Sequence, residues 1–213
     1  MPFSTLFFDL DETLYPASCG LWPVIKSRIN LYMEVRLGFT PEQIELRRDS
    51  YFRQYGTTLR GLQANYSVDR EDYLAFVHDI RLEDYLKPDP ALRAMLEGLI
   101  SQKFIFTNAS ADHARHVIHA IGLDGCFADI VDVNVVAPYC KPMREAFEIA
   151  LARAGETDPR QCAFIDDLPS TTRAARSLGF FTVLLKEDSL LACADADQVI
   201  TRLLDLPKVL DGK

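Results

Sequence analysis

Three short apolar runs in this chain each end in groups able to do chemistry. Leu6-Phe7-Phe8 is followed by Asp9-Leu10-Asp11-Glu12-Thr13, Phe104-Ile105-Phe106 by Thr107-Asn108, and Ala163-Phe164-Ile165 by Asp166-Asp167. Lys141 stands immediately before Pro142, at the mouth of an expected helix. Ligands of open α/β sheets bind beyond the carboxyl ends of the strands. If the strand order brings these ends to one edge, acids, a hydroxyl and a lysine share a cleft. Several carboxylates in one cleft repel one another and need a cation. Oxygen donors without a His or Cys cluster suit Mg²⁺, which favours substrate phosphates. A lysine beside a helix N-terminus suits a phosphate dianion. An Asp can then attack phosphorus as nucleophile. A second carboxyl two residues away can protonate the leaving oxygen and later activate water.

The elements that must position these groups are legible from periodicity. Thr5 to Phe8 reads as a short buried parallel strand. From Pro16 to about Leu86 the pattern is helical. Leu21, Val24, Ile25, Ile29 and Tyr32 recur near helical spacing, and Gly38 is a plausible stop. Thr40-Pro41-Glu42-Gln43 has the signature of a capping box with Pro at the first helical position. Further helices are expected near Leu59–Tyr66 and Arg70–Asp79, and no strand is expected in this stretch. Trp22 is expected to pack within it.

After Lys87-Pro88-Asp89-Pro90 the pattern alternates. Expected helices are Ala91–Leu99, Ala111–Ile121, Pro142–Ala154 and Ser170–Leu178; expected strands are Lys103–Phe106, Asp129–Val133, Cys162–Ile165 and Phe181–Leu185. A tail around Val199–Leu210 adds one more strand or helix. Such alternation argues for βαβ units and a parallel sheet with right-handed crossovers. The architecture expected is α/β: a doubly wound, Rossmann-like parallel sheet carrying a helical insert. The core is residues 1–14 plus 87–213, and the insert 15–86.

Composition narrows the function classes. The chain has 213 residues, 48% hydrophobic and 25% charged, an ordinary globular mixture rather than a disordered or fibrous one. Its net charge of −8 argues against a bulk basic face for a nucleic-acid polymer. No apolar stretch approaches the roughly 18–20 residues of a membrane span. Met1 to Phe8 lacks a basic n-region and meets Asp9 too soon for a signal peptide. The five cysteines are scattered, with no C-x-x-C spacing, and read as buried small hydrophobes. A reduced, cytoplasmic enzyme or binding domain is the expectation. Oligomeric state is left open between monomer and dimer.

In order and separation, Asp9-Leu10-Asp11-Glu12-Thr13, Thr107-Asn108, Lys141-Pro142 and Asp166-Asp167 resemble the ordered motifs of the haloacid dehalogenase (HAD) superfamily. The helical insert after the first motif resembles that superfamily's C1 cap. The resemblance spans essentially the whole chain. It implies that Asp9 is the phosphorylated nucleophile and Asp11 the general acid/base, whose backbone carbonyl binds metal. It implies that Thr107 bonds the transferring phosphoryl group with help from the Asn108 N–H, and that Lys141 holds Asp9 and the phosphate. Asp166 would ligate Mg²⁺, and Asp167 would orient metal waters or Lys141. An acid at Asp11 favours a phosphohydrolase over the dehalogenase and phosphonatase branches, and a phosphomutase is the nearest mechanistic alternative.

Thr13-Leu14-Tyr15-Pro16, Tyr55-Gly56-Thr57-Thr58-Leu59-Arg60-Gly61-Leu62 and Leu86-Lys87-Pro88-Asp89 resemble the pyrimidine 5′-nucleotidase branch of yeast and plants. That likeness implies a nucleoside monophosphate such as UMP or CMP, with pyridine mononucleotides or sugar phosphates as alternatives. Leu168 and Thr171 stand where the branch often has Ser and Asn. Tyr55, Arg60 and Tyr66 are candidates for the substrate pocket, although aromatics at helical spacing are more often core. His116 and His119 lie three apart on one expected helix, but no third ligand supports zinc. All four histidines therefore read as satisfied or surface side chains. A non-catalytic nucleotide binder is the remaining rival class, although every expected catalytic position is filled.

Overall fold

Strand β1 (Thr5–Phe8) is buried along its whole length. Both of its faces are covered, which is why its sequence shows no polar alternation. It pairs in parallel with β2 (Gln102–Phe106) on one side and with β4 (Cys162–Asp166) on the other. Strand β3 (Asp129–Val131) flanks β2, while β5 (Phe181–Leu185) and β6 (Gln198–Ile200) extend the sheet beyond β4. The order is β3-β2-β1-β4-β5-β6, parallel throughout. The direction of winding reverses between β1 and β4, and a crevice is expected there at the carboxyl ends. The computed structural model describes residues 3–186 and 194–210, so Cys193 lies outside the described residues.

The chain divides into two compact units, Met1–Cys19 with Leu86–Lys213, and Gly20–Tyr85. The second unit holds helices α1 (Leu21–Leu37), α2 (Pro41–Tyr55), α3 (Thr58–Asn65) and α4 (Arg70–Val77). The α2 capping box forms: Thr40 Oγ1 accepts from Gln43 N–H, and Gln43 Oε1 accepts from Thr40 N–H. Gly38 ends α1 in the left-handed region and donates its N–H to Glu34. Within this unit Arg28 donates twice to the Phe76 carbonyl, and Tyr32 packs edge-on against Tyr73 and Phe76. Trp22, expected inside, is 38% exposed. Its neighbours Leu21 and Ile25 take the buried face of α1 instead.

In the sheet-bearing unit the helices are α5 (Pro90–Gly98), α6 (Ala111–Ala120), α7 (Arg144–Arg153), α8 (Pro169–Ser177) and α9 (Leu206–Leu210). The tail around Val199–Leu210 thus supplies both a strand and a helix. One face of the sheet buries a phenylalanine cluster of Phe7, Phe104, Phe106, Phe147, Phe164 and Phe180. Phe147 meets Phe106 and Phe164 edge-on at centroid distances of 5.3 Å. Burial of each such ring contributes roughly 1.5–3 kcal/mol. Two boundaries differ from expectation. The strand expected over 129–133 stops at Val131, because the buried Asp132 carboxylate accepts the N–H groups of Asn134 and Val135 and turns the chain. The helix expected from Pro142 begins at Arg144, because Met143 N–H closes a turn onto Cys140 first. No helix among the described residues is long and apolar enough to cross a membrane.

Candidate active site

Parallel register sets the site. Phe8 lies opposite Ile105 of β2 and Ile165 of β4, so the residues that follow these strands emerge side by side. Asp9 N–H donates to the Ile165 carbonyl at 2.9 Å, which carries the pairing one residue past β1. Asp166 closes β4. Thr107 N–H donates to Val131 at 3.0 Å and its hydroxyl accepts from Ala109 N–H, so it is fixed at the end of β2. After Asp11 the chain folds back through Glu12, a non-glycine residue at φ 58, and Leu14 N–H reaches the Leu10 carbonyl. Backbone in that region is held by its surroundings.

Lys141 is the hub. Its ammonium donates to Asp9 Oδ1 at 2.6 Å and to Asp166 Oδ2 at 2.7 Å. It lies 5.4 Å from the ring centres of both Phe106 and Phe164. Lysine and Asp166 are only 3% and 1% exposed, so these charges meet out of water. The other Asp166 oxygen, Oδ1, accepts from Leu168 N–H. Asn108 holds the lysine's backbone: its amide oxygen accepts Lys141 N–H at 2.9 Å and its NH₂ donates to the Lys141 carbonyl at 3.0 Å.

The cluster holds more negative than positive charge. Burial pushes the Asp9 carboxyl up to about 7, Lys141 opposes that rise, and the Asp166 charge adds to it. Burial, then the neighbouring Asp9 and Asp166, push Asp167 up to about 8. Burial works against the Lys141 charge, yet Asp166 and Asp9 hold that ammonium above the ordinary lysine range. Asp9, Asp166 and Asp167 each offer an oxygen, and these oxygens lie within 4.8 Å of one another. An all-oxygen, over-charged donor set of this size fits a hard divalent cation such as Mg²⁺.

Asp11 is held from two sides. Tyr15 OH donates to its Oδ1 at 2.7 Å, and His113 Nε2 lies 3.1 Å from the same oxygen. Burial, then the Asp11 charge, push the Tyr15 phenol above its usual range, so it remains a donor. The sequence motifs imply no site role for either residue. His113 lies on the apolar stripe of α6 with Ala114, Val117 and Ile118, and a histidine on such a stripe is the one sequence signal that could have found it. His119 instead meets Asp124 at the surface.

Asp9, Asp11, Thr107, Asn108, Lys141, Asp166 and Asp167 all belong to the sheet-bearing unit, whereas Tyr55 and Arg60 belong to the helical one. There Arg60 donates to the Tyr55 carbonyl at 3.0 Å and Tyr55 packs edge-on against Tyr51. Tyr66 accepts from Arg47. Leu168 is exposed beside the paired acids, while Thr171 is buried.

This strand order, with carboxylates at the ends of β1 and β4 and a lysine between them, defines a hydrolase class, and the chain belongs to the haloacid dehalogenase-like hydrolase family, whose model matches residues 3–179. It is 32% identical over 192 residues to Phosphate metabolism protein 8 of Saccharomyces cerevisiae, covering 84% of this chain. The chain spans 60% of that relative's length. The fold is shared with the HAD phosphatase of Thermococcus onnurineus at a TM-score of 0.66 and 22% identity, over 99% of both chains. It is also shared with YfnB of Bacillus subtilis, a HAD-hydrolase solved bound to magnesium, at a TM-score of 0.61 and 17% identity, over 98% and 99% of the two chains.

Proposed function

We propose that this hydrolase is a Mg²⁺-dependent phosphomonoesterase acting on a nucleoside monophosphate of the UMP or CMP kind. The observation that carries the phosphomonoesterase reading is the buried Lys141 bridging Asp9 and Asp166 beside Asp167. The nucleotide part rests on the likeness of the Tyr55–Leu62 segment to the pyrimidine nucleotidase branch, with the helical unit as a C1-type cap. Residues 1–14 with 87–213 form the catalytic core in this reading, and 15–86 the cap.

Asp9 attacks phosphorus and forms an aspartyl phosphate, a mixed anhydride, while the P–O bond to the nucleoside breaks. Asp11 gives its proton to the departing 5′-oxygen. Water then attacks the same phosphorus, Asp11 takes the water's proton, and the P–O bond to Asp9 breaks, which regenerates the carboxylate and releases phosphate. Lys141 keeps Asp9 oriented and offsets charge on the incoming phosphate. The Thr107 hydroxyl and Asn108 N–H bind the transferring group. Asp9, Asp166, Asp167 and the Asp11 carbonyl would hold Mg²⁺, which supplies charge neutralisation between nucleophile and phosphate. Tyr55 and Arg60 serve as candidate contacts for the nucleoside.

The test is phosphate release from UMP, CMP, AMP, GMP, nicotinamide mononucleotide and sugar phosphates, with Mg²⁺ and with EDTA. Metal-dependent release led by UMP and CMP supports the full reading. Release led by sugar phosphates removes the nucleotidase part and leaves the mechanism. No metal-dependent release from any of them overturns the phosphomonoesterase reading.

A further inference from the structure

His113 is a buried histidine on a helix whose first turn is fixed at several points. Ser110 Oγ accepts His113 N–H at 3.2 Å, and Asp132 Oδ2 accepts Ala111 N–H at 2.8 Å. The residue is 2% exposed, and its ring nitrogen reaches Asp11 Oδ1 across 102 positions of sequence. Tyr15, 4% exposed, donates its hydroxyl to the same oxygen. A carboxyl held at one oxygen by two partners cannot rotate about its Cβ–Cγ bond without breaking both contacts. The direction of its second oxygen is thereby fixed as well. A buried imidazole costs desolvation of its two nitrogens, and an apolar residue would fill the α6 stripe more cheaply.

We propose that His113 is a positioning residue for the acid/base carboxyl: with Tyr15 it fixes the direction in which Asp11 gives and takes its proton. This rests on the phosphomonoesterase reading above. When Asp11 is ionised, both partners donate to Oδ1. When Asp11 carries the proton, Tyr15 still donates to Oδ1, and the other oxygen carries that proton toward the leaving group. The effect is one of orientation, and orientation errors near 1 Å cost on the order of 100-fold in rate.

The leaving group separates positioning from general damage. The 5′-oxygen of UMP departs as an alkoxide unless it is protonated, whereas p-nitrophenolate departs without help. The ratio kcat/KM reports the steps through phosphoryl transfer, where Asp11 acts as acid. His113→Leu is therefore expected to lower kcat/KM for UMP by about 100-fold, and that for p-nitrophenyl phosphate by at least about tenfold less. His113→Gln, which returns an N–H near the Nε2 position, recovers about tenfold on UMP. In an Asp11→Asn background, His113→Leu costs less than about threefold further, because both changes act through one group.

Thermal unfolding of each variant accompanies the kinetics. If His113→Leu does not fold, Tyr15→Phe removes the other donor and gives the same leaving-group signature. Equal losses on both substrates overturn the proposal, as does wild-type turnover of UMP by folded His113→Leu. A full additional loss in the Asp11→Asn background overturns it too. If the wild-type protein hydrolyses neither substrate with Mg²⁺, the phosphomonoesterase reading itself fails, and the proposal falls with it.

Discussion

Asn108 grips Lys141 by its backbone with a matched pair of hydrogen bonds, 2.9 Å and 3.0 Å long. The two residues are 33 positions apart, and the pair ties the loop after β2 to the loop before α7. An amide side chain supplies donor and acceptor together, as an antiparallel strand partner would. Asn108→Ala removes both and leaves a Lys141 N–H without its acceptor. The expected cost is about 1–3 kcal/mol of stability. Turnover is expected to fall by about 10–100-fold through the displaced ammonium. Urea unfolding and phosphate release check the two effects; unchanged values in both would show that Lys141 is held by other means.

Asp9 illustrates a conflict between stability and activity. Its buried carboxyl adds negative charge to a cluster that already exceeds the charge of Lys141. Asp9→Asn should therefore leave metal-free stability equal to or above wild type, while turnover falls by more than about 1000-fold because the nucleophile is gone. Lys141→Met should do the opposite to stability. It strands buried carboxylates and is expected to cost about 3–5 kcal/mol without metal. Paired thermal melts and single-turnover assays on both variants test this contrast. Wild-type-like turnover by Asp9→Asn would sink the proposed mechanism.

Metal and pH act on the same cluster. Asp9 and Asp167 are raised by burial and by neighbouring carboxylates, to about 7 and about 8. Above the ordinary carboxylate range of about 4, the unfolded chain has already lost these protons while the folded chain retains them. Folding then binds protons, so the stability they contribute is present below about 4 and is lost as pH rises through about 7 to 8. Mg²⁺ competes with those protons. Unfolding midpoints measured at pH 5, 6, 7 and 8 should show a gain from Mg²⁺ that widens with pH. A gain that is constant across the range would show that the cation binds elsewhere.

Within the helical unit, Gly61 allows α2 and α3 to touch. A Cβ on Gly61 would stand closer to Tyr51 Cβ and Cγ than non-bonded atoms can approach. Both residues are buried, and the contact involves the root of the tyrosine rather than its tip. Gly61→Ala should destabilise by about 1–3 kcal/mol despite the better helix propensity of alanine. Tyr51→Gly, which removes the clashing Cβ and Cγ, combined with Gly61→Ala should recover part of the overpacking loss, and a double-mutant cycle in thermal melts measures it.

Much of this is legible in the sequence alone. The alternation of apolar runs and amphipathic stretches after Pro90 reports a parallel α/β sheet, because a strand buried on both faces has no polar phase. Thr40 to Gln43 announces the start of α2, because capping is decided within four residues. Boundaries differ where a turn closed over two or three residues cuts into the hydrophobic pattern. Asp132 captures the N–H groups that would have extended β3, and the turn of Met143 onto Cys140 postpones α7.

The candidate site divides along the same line. Asp9, Thr107 and Asp166 are marked by local sequence, since each ends an apolar strand and strand ends are where ligands bind. The resemblance implies a phosphoryl contact for the Asn108 N–H, while the task of its side chain, bracing Lys141, is visible only in the fold. His113 is a satisfied histidine as expected, and the fold alone shows that its partner is Asp11. Local periodicity determined the strands, the helices and the types of residue at their ends, because those depend on neighbours within a few positions. Only the tertiary structure decided which ends meet. That choice rests on the strand order and on hydrogen bonds between residues tens of positions apart, and no local pattern encodes either.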